Sequence, residues 1–180
     1  MRDFLKQKSE IVSLYTDGGV IDRNPSPIGG TWAYCGVNAE NKRVLHNGGY
    51  ILKPDGRLIT NNHTEQIAII LALESMPNGW SGTVYSDSKI AMNRMRGKGT
   101  NKNLPDNVIE RTKAVLARLG KVKFRHVKGH PTQSELFKGY SKNHRRVSIH
   151  NVWCDEECRR QAVLGKEIFQ KKTLDKQPEP

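Results

Sequence analysis

Leu14-Tyr15-Thr16-Asp17-Gly18-Gly19 closes an alternating run that begins at Ile11. β-Branched and aromatic residues are dense from Ile11 to Asp17, and two glycines follow at once. The pattern predicts a strand that ends at Asp17 in a turn. An aspartate in that place is held rigidly and can point into a shared site. An Asp-Gly pair is also an ordinary turn signal, so this stretch alone leaves both readings open.

Outward from it, residues 20–30 read as an irregular loop, and residues 31–37 and 43–52 as two further strands joined by a hairpin turn at 38–42. From Thr64 to Met76 the apolar residues Ile67, Ala68, Ile70, Leu71, Ala72 and Leu73 predict a helix with a broad buried face. Pro77-Asn78-Gly79 stops it. Residues 82–87 form a short strand ending, again, in an aspartate. Helices are expected over 88–95 and 107–119, around a basic loop at 96–103. Residues 121–127 alternate and predict another strand; 131–149 are polar and basic without a strong period; 155–170 read as a last helix. Strands alternating with helices in the second half imply parallel pairing with crossovers on the sheet faces. The expected fold is therefore α/β, with a mixed five-stranded sheet, three strands antiparallel and the rest parallel, flanked by helices. Residues 1–10 are expected to be a lead-in, 11–170 a single domain and 171–180 a disordered tail.

Composition narrows the partner. Thirty Lys+Arg against 18 Asp+Glu give 180 residues a net charge of +12 and a pI near 9.8. Such an excess suits a polyanion, above all nucleic acid. No apolar run approaches the roughly 18 residues of a membrane span, and no basic amphipathic helix suits a membrane surface. Three cysteines argue against a disulfide framework and for a reducing compartment. With no signal-peptide core at Met1-Arg2-Asp3-Phe4-Leu5-Lys6, a cytoplasmic protein is expected; a monomer is expected as well, and no protein partner is implied. Cys154 and Cys158, one helical turn apart, suit helix packing better than zinc.

Four acidic residues occupy informative places: Asp17 and Asp87 at strand ends, Glu65 and Asp155 at helix starts. Ligands of open sheets gather beyond strand ends, where these four can converge. Bare carboxylates in such a cluster repel one another, and divalent cations with a taste for hard oxygen ligands, Mg²⁺ or Mn²⁺, remove that penalty. Two such ions about 4 Å apart can promote hydrolysis of a phosphodiester. Each acid also has a plain structural account. Glu65 and Asp155 would suit a helix macrodipole, and Asp87 would suit a helix cap.

Six pieces taken together resemble the type 1 ribonuclease H family: Tyr15-Thr16-Asp17-Gly18; Asn24-Pro25 with Gly29-Gly30; Thr60-Asn61-Asn62-His63-Thr64-Glu65; Ser86-Asp87-Ser88; Val127-Lys128-Gly129-His130; and Asn151-Val152-Trp153-Cys154-Asp155-Glu156. They stand in the family's order across most of residues 11–165. The resemblance implies a ribonuclease H-like fold and an endonuclease that cuts the RNA strand of RNA–DNA hybrids by in-line attack of water, leaving a 5′-phosphate and a 3′-hydroxyl. It implies Asp17, Glu65, Asp87 and Asp155 as ligands of two Mg²⁺ ions, which Mn²⁺ can replace, and His130 as the proton-transferring histidine. Asn24, Asn61 and Asn62 match residues that read the minor groove, and Thr60 matches a contact to the DNA backbone. Lys128 and Asn151 join the substrate side through their motifs, and Gly18 would let the substrate backbone come close. Wide, shallow A-like grooves display 2′-hydroxyls to such short polar side chains.

Two departures stand out. Many bacterial relatives carry a basic helix between the third carboxylate and the histidine; here only Arg94, Arg96, Lys98, Lys102 and their loop remain. The stretch between His130 and Asp155 is longer than in the family, and carries Phe137, Lys138, Tyr140, Lys142, His144, Arg145 and Arg146. It reads either as a compensating nucleic-acid contact or as a solvated charged loop. It also separates His130 from Asp155, leaving His144 and His150 as alternatives for the functional histidine. Rival readings are another nuclease of the same fold, such as a junction resolvase or transposase core, and a catalytically silent module binding duplex RNA or hybrids.

Overall fold

A computed structural model of the chain describes residues 8, 10–52, 58–100 and 106–174. The chain order is β1 (Ser13–Val20), β2 (Gly29–Val37), β3 (Arg43–Leu52), α1 (Asn61–Glu74), β4 (Gly82–Ser86), α2 (Lys89–Met95), α3 (Asp106–Arg118), β5 (Val122–His126), α4 (Gln133–Lys138) and α5 (Ile149–Leu174). One five-stranded sheet runs β3-β2-β1-β4-β5. The β1–β2 and β2–β3 pairs are antiparallel, and β1–β4 and β4–β5 are parallel. This is the mixed sheet expected from the order of elements.

Alternation along β1 sorts the two faces. Leu14 joins a cluster with Tyr34, Ile67, Ile69, Ile70, Leu73 and Val84, under α1, α2 and α3. Tyr15 joins the opposite cluster with Ala33, Cys35, Val37, Tyr85, Cys154 and Cys158, under α5. The helix α1 is buried nearly all round: Ala68, Ile69, Ile70, Ala72 and Leu73 are each 0% exposed. Burying each large aliphatic side chain there contributes about 1.5–3 kcal/mol. The carbonyls left over at the end of α1 are met by α3, whose Arg118 donates to Leu73, Glu74 and Met76 O at 2.7–2.8 Å. Arg111 adds a two-point ion pair to Glu74. Cys35, Cys154 and Cys158 are free and buried, so packing explains the Cys154/Cys158 spacing.

Element boundaries correct several expectations. β1 does not end at Asp17: Gly18 and Gly19 continue it, opposite Trp32 and Thr31 of β2. Neither glycine makes a turn. A Cβ on Gly18 would collide with the backbone of Thr64 and Glu65, so this glycine lets α1 lie directly on β1. Glu65 falls past the first turn of α1, which holds no acid, and Asp155 is the seventh residue of α5 rather than its start. The macrodipole therefore accounts for neither. Asp87 caps nothing; the N-cap of α2 is Ser88, whose hydroxyl accepts from Ala91 N. The region 131–149 is not without structure, since it contains α4. The last helix runs on through 171–174, where a disordered tail was expected; residues 175–180, the lead-in except for residues 8 and 10, and the loop residues 101–103 with Lys102 lie outside the described residues.

Candidate active site

Register brings two of the acids together. β1 and β4 pair in parallel up to Tyr15 and Tyr85. This brings Asp17, two residues on, near Asp87, which lies just past the end of β4 at Ser86 rather than in the strand. The Tyr15 and Tyr85 rings stack beneath them, centroids 4.8 Å apart. Glu65 arrives from α1 across the Gly18 contact. Carboxylate oxygens of Asp17, Glu65 and Asp87 all lie within 4.8 Å of one another. They line a cleft of about 500 Å³ together with Gly18, Asn61, Asn62, His130, Asp155 and Arg159.

Burial sets the electrostatics. Asp17 is 8% exposed, and burial, reinforced by the charges of Asp87 and Asp155, pushes its carboxyl up to about 8. Glu65 is pushed well above the carboxylate range by burial and then by Asp17 and Asp87. Its Oε2 is buried without a hydrogen-bond partner among the described residues. Asp87 is raised by burial, an effect opposed by His130 and His126. Three converging carboxyl groups, one with an orphaned buried oxygen, form a donor set that a hard divalent cation fits. Without a cation, charge repulsion is relieved by retained protons.

Asp155 stands apart from this trio but in the same cleft. Its Oδ2 accepts from Arg159 at 2.7 Å and lies 3.3 Å from His130 Nδ1. His130 has a positive φ of 46° and a side chain 70% exposed. Its neighbour Gly129 is pressed so close to Asp87 that a Cβ would strike the carboxylate. The insertion thus leaves His130 next to Asp155. The alternatives sit elsewhere: His150 is buried against Tyr15, its Nε2 3.3 Å from Asn41 Oδ1, and His144 stacks on Tyr140.

The expected substrate residues divide. Asn61 and Asn62 are exposed at the start of α1 and line the cleft. Thr60 is the N-cap residue of α1, without a side-chain cap bond. Asn24 supplies that cap from a distance: its Oδ1 accepts from Asn61 N at 3.2 Å. Lys128 is held by Glu135 through both carboxylate oxygens, at 2.5 and 2.7 Å. Asn151 is 2% exposed, its Oδ1 lacks a partner among the described residues, and it lines a smaller cavity shared by Asp87, His130 and Asp155. Sequence reasoning missed Arg159, although a basic residue four positions after a helical aspartate is a readable signal. It also missed His126, whose Nε2 lies 3.1 Å from Asp87 O.

Comparison with known proteins fits this geometry. The RNase H family model matches residues 9–162. The chain belongs to the RNase H family. A curated relative, the Ribonuclease H of Syntrophus aciditrophicus (strain SB), is 36% identical over 88 residues, 49% of this chain and 45% of that protein. The match thus spans about half of either protein. Solved structures agree on the fold. RNase H1 from the halophilic archaeon Halobacterium salinarum superimposes with a TM-score of 0.60 at 20% identity, covering 84% of this chain and 97% of that one. The N-terminal RNase H domain of a Mycobacterium tuberculosis protein gives 0.59 at 14%, covering 87% and 97%. LC11-RNase H1, solved in complex with an RNA/DNA hybrid, gives 0.60 at 19%, covering 84% and 96%. As the family, the sheet order and the acidic cleft coincide, the RNase H resemblance read from the six motifs holds.

Proposed function

We propose that the chain is an endonuclease that hydrolyses the RNA strand of RNA–DNA hybrids, leaving a 5′-phosphate and a 3′-hydroxyl. The observation that carries this reading is the buried trio Asp17, Glu65 and Asp87 in a chain of the RNase H family. The hybrid held by LC11-RNase H1 supports the choice of substrate. In this reading Asp17, Glu65, Asp87 and Asp155 hold two Mg²⁺ ions, with Mn²⁺ as a substitute. When bound, the cations supply Lewis-acid activation of the attacking water and charge neutralisation at the departing oxygen.

The remaining steps belong to the protein's own groups. Burial raises the carboxyl groups of Asp17 and Glu65 above the usual range, so these two side chains would give up protons on holding a cation. His130, exposed at the mouth and beside Asp155, exchanges a proton with solvent during departure of the product. Arg159 fixes the Asp155 carboxylate. Asn61 and Asn62 offer paired donors and acceptors to the minor groove, and Asn24 sets the start of α1 that presents them. Thr60, Lys128, Asn151 and the backbone of Gly18 complete the substrate side. The work is done by one domain spanning residues 11–170, as a monomer. Three buried free cysteines support a reducing, cytoplasmic setting.

The test is incubation with Mg²⁺ and labelled RNA–DNA hybrid, duplex RNA, duplex DNA and a branched junction. Cutting confined to the RNA of the hybrid, and lost in Asp87→Asn, supports the reading. Cutting of DNA or of the junction, or binding without cutting, overturns it.

A further inference from the structure

Between Leu136 and Cys154 the chain has four cations, Lys138, Lys142, Arg145 and Arg146, and not one acid. The structure turns this stretch into a built object. Gly139, with φ 75°, closes α4 and starts a hairpin in which Tyr140 bridges Arg146. Ser141 N donates to Arg145 O and His144 N to Ser141 O, both at 2.9 Å. His144 adopts φ 53°, so Lys142-Asn143-His144 forms a three-residue hairpin loop ending in a left-handed residue. Ser141 and Val147, at the base, are buried.

The cations of this hairpin have different tasks. The Arg146 guanidinium lies 4.9 Å from the Tyr85 ring centroid, and its Nη1 donates to Tyr85 Oη at 3.3 Å. Tyr85 is the ring stacked on Tyr15 beneath the acidic cleft. The backbone of the same arginine accepts from Lys128 N at 2.9 Å, one residue before Gly129, which abuts Asp87. The hairpin is therefore fastened to both the sheet and the Lys128–His130 segment of the site. Lys142 and Arg145 have no such tie. Both are exposed, and neither is paired with a carboxylate among the described residues.

We propose that the Tyr140–Arg146 hairpin is a phosphate clamp, in which Lys142 and Arg145 grip the backbone of the nucleic acid beside the carboxylate cleft and Arg146 is the anchor. The inference rests on the reading that the cleft acts on nucleic acid. It gives the chain a grip on its substrate where, among the described residues, no further helix stands between α2 and α3. Preorganisation argues for the function: a short loop whose backbone is already bonded spares the cost of ordering it on binding, and each cation it carries releases counterions from the phosphates it meets. A surface for a protein partner is depleted of charge at its centre; here four cations without an acid stand beside the exposed rings of Phe137 and Tyr140, the mix of basic and aromatic side chains that suits nucleic acid.

The experiment is a salt titration of the full chain. The Kd for a labelled hybrid is measured in chelator, so that nothing is cut, between about 50 and 200 mM KCl. Lys142→Ala/Arg145→Ala should raise Kd about tenfold at the low end and flatten the plot of log K against log salt by about 1.5 units, the loss of two phosphate contacts. Lys171→Ala/Lys172→Ala, at the far end of α5, should leave the slope unchanged. Lys142→Arg/Arg145→Lys should retain the wild-type slope, since charge is kept. An unchanged slope in the double alanine variant, with wild type still cutting hybrid, overturns the clamp. If wild type does not cut hybrid, the active-site reading falls, and the same titration on the duplex it binds best decides the clamp alone.

Discussion

The acidic cleft and the cationic hairpin meet at one segment, Lys128–His130, yet they are held by opposite means. The cleft is made by the core. Asp17 and Asp87 are near each other because β1 and β4 pair in parallel, and Glu65 is near because Gly18 lets α1 touch the sheet. The hairpin is shaped locally, by an αL glycine and a three-residue loop, and is tied to the rest of the domain at its base, through Arg146 to Tyr85 and to Lys128 N. The first arrangement cannot move without unfolding the domain. The second can open while the sheet stays intact. A reactive site needs the former, because like charges must be forced together against repulsion. A grip on a phosphate backbone tolerates the latter, because opposite charges seek each other.

If the cleft is the reactive part, Asp87→Asn should lower kcat on hybrid by about a thousandfold or more, a loss of roughly 4 kcal/mol of transition-state stabilisation. Single-turnover rates measure it. A variant that retains a tenth of wild-type activity would place the chemistry elsewhere. If Gly18 is the contact that sets the cleft, Gly18→Ala should destabilise the fold by about 2–3 kcal/mol, because the opposing atoms are α1 backbone and cannot swing aside. Urea denaturation reads this directly. A near-neutral result would show that α1 has room to shift.

The forced proximity of charges also has a pH signature. Asp17 is raised from 3.8 to about 8, chiefly by burial and then by Asp87 and Asp155. A carboxyl raised in the folded state favours folding only while protonated. From about pH 4 upward the unfolded chain gives up this proton and the folded chain does not, so stability declines until about pH 8. In chelator, the thermal midpoint should therefore fall as pH rises across that window. Mg²⁺ should recover most at the alkaline end, where no proton is left to displace. Asp17→Asn should flatten the chelator profile and raise the midpoint near pH 8. A variant profile parallel to that of wild type would show that Asp17 is not the titrating group.

The same contrast explains what was readable in advance. Period-two alternation in β1 and the Ile67–Leu73 apolar run report burial directly, and with the order of elements they made the mix of antiparallel and parallel pairs readable. Element ends were not. Gly18-Gly19 looks like a turn, but it is a pair of strand residues whose missing Cβ atoms make room for neighbours. That contact lies 47 residues away along the chain at Glu65, and no local pattern announces it. Likewise α5 starts at Ile149, six residues before Asp155, since His150 and Asn151 are polar yet buried and hide the helical face. In the 131–149 region no apolar period exists to be read, because α4 buries none of its residues. Its order comes from capping and turn chemistry, which composition alone does not reveal. Arg146 looks in the sequence like its neighbour Arg145; only the Tyr85 ring tells them apart.

The smallest effect is expected in α4, the short helix that leads into the hairpin. Thr132 caps α4: its hydroxyl accepts from Glu135 N at 3.3 Å, while Glu135 Oε2 accepts from Thr132 N at 2.9 Å. Burial and neighbours would ordinarily make loss of such a capping box felt throughout a domain. Here α4 has no buried residue, so its unfolding exposes almost nothing apolar. Thr132→Ala should therefore fray α4 locally, at a cost of about 1 kcal/mol to that helix, and leave the global midpoint within about 1 °C. Hydrogen exchange at residues 136–138 should quicken severalfold while β1 and α1 keep their protection. Because Glu135 also holds Lys128, some loosening should reach the Lys128–His130 segment and raise KM slightly. A large drop in the global midpoint would mean that α4 is bound into the core after all, and the division between a core-made cleft and a locally shaped hairpin would fail.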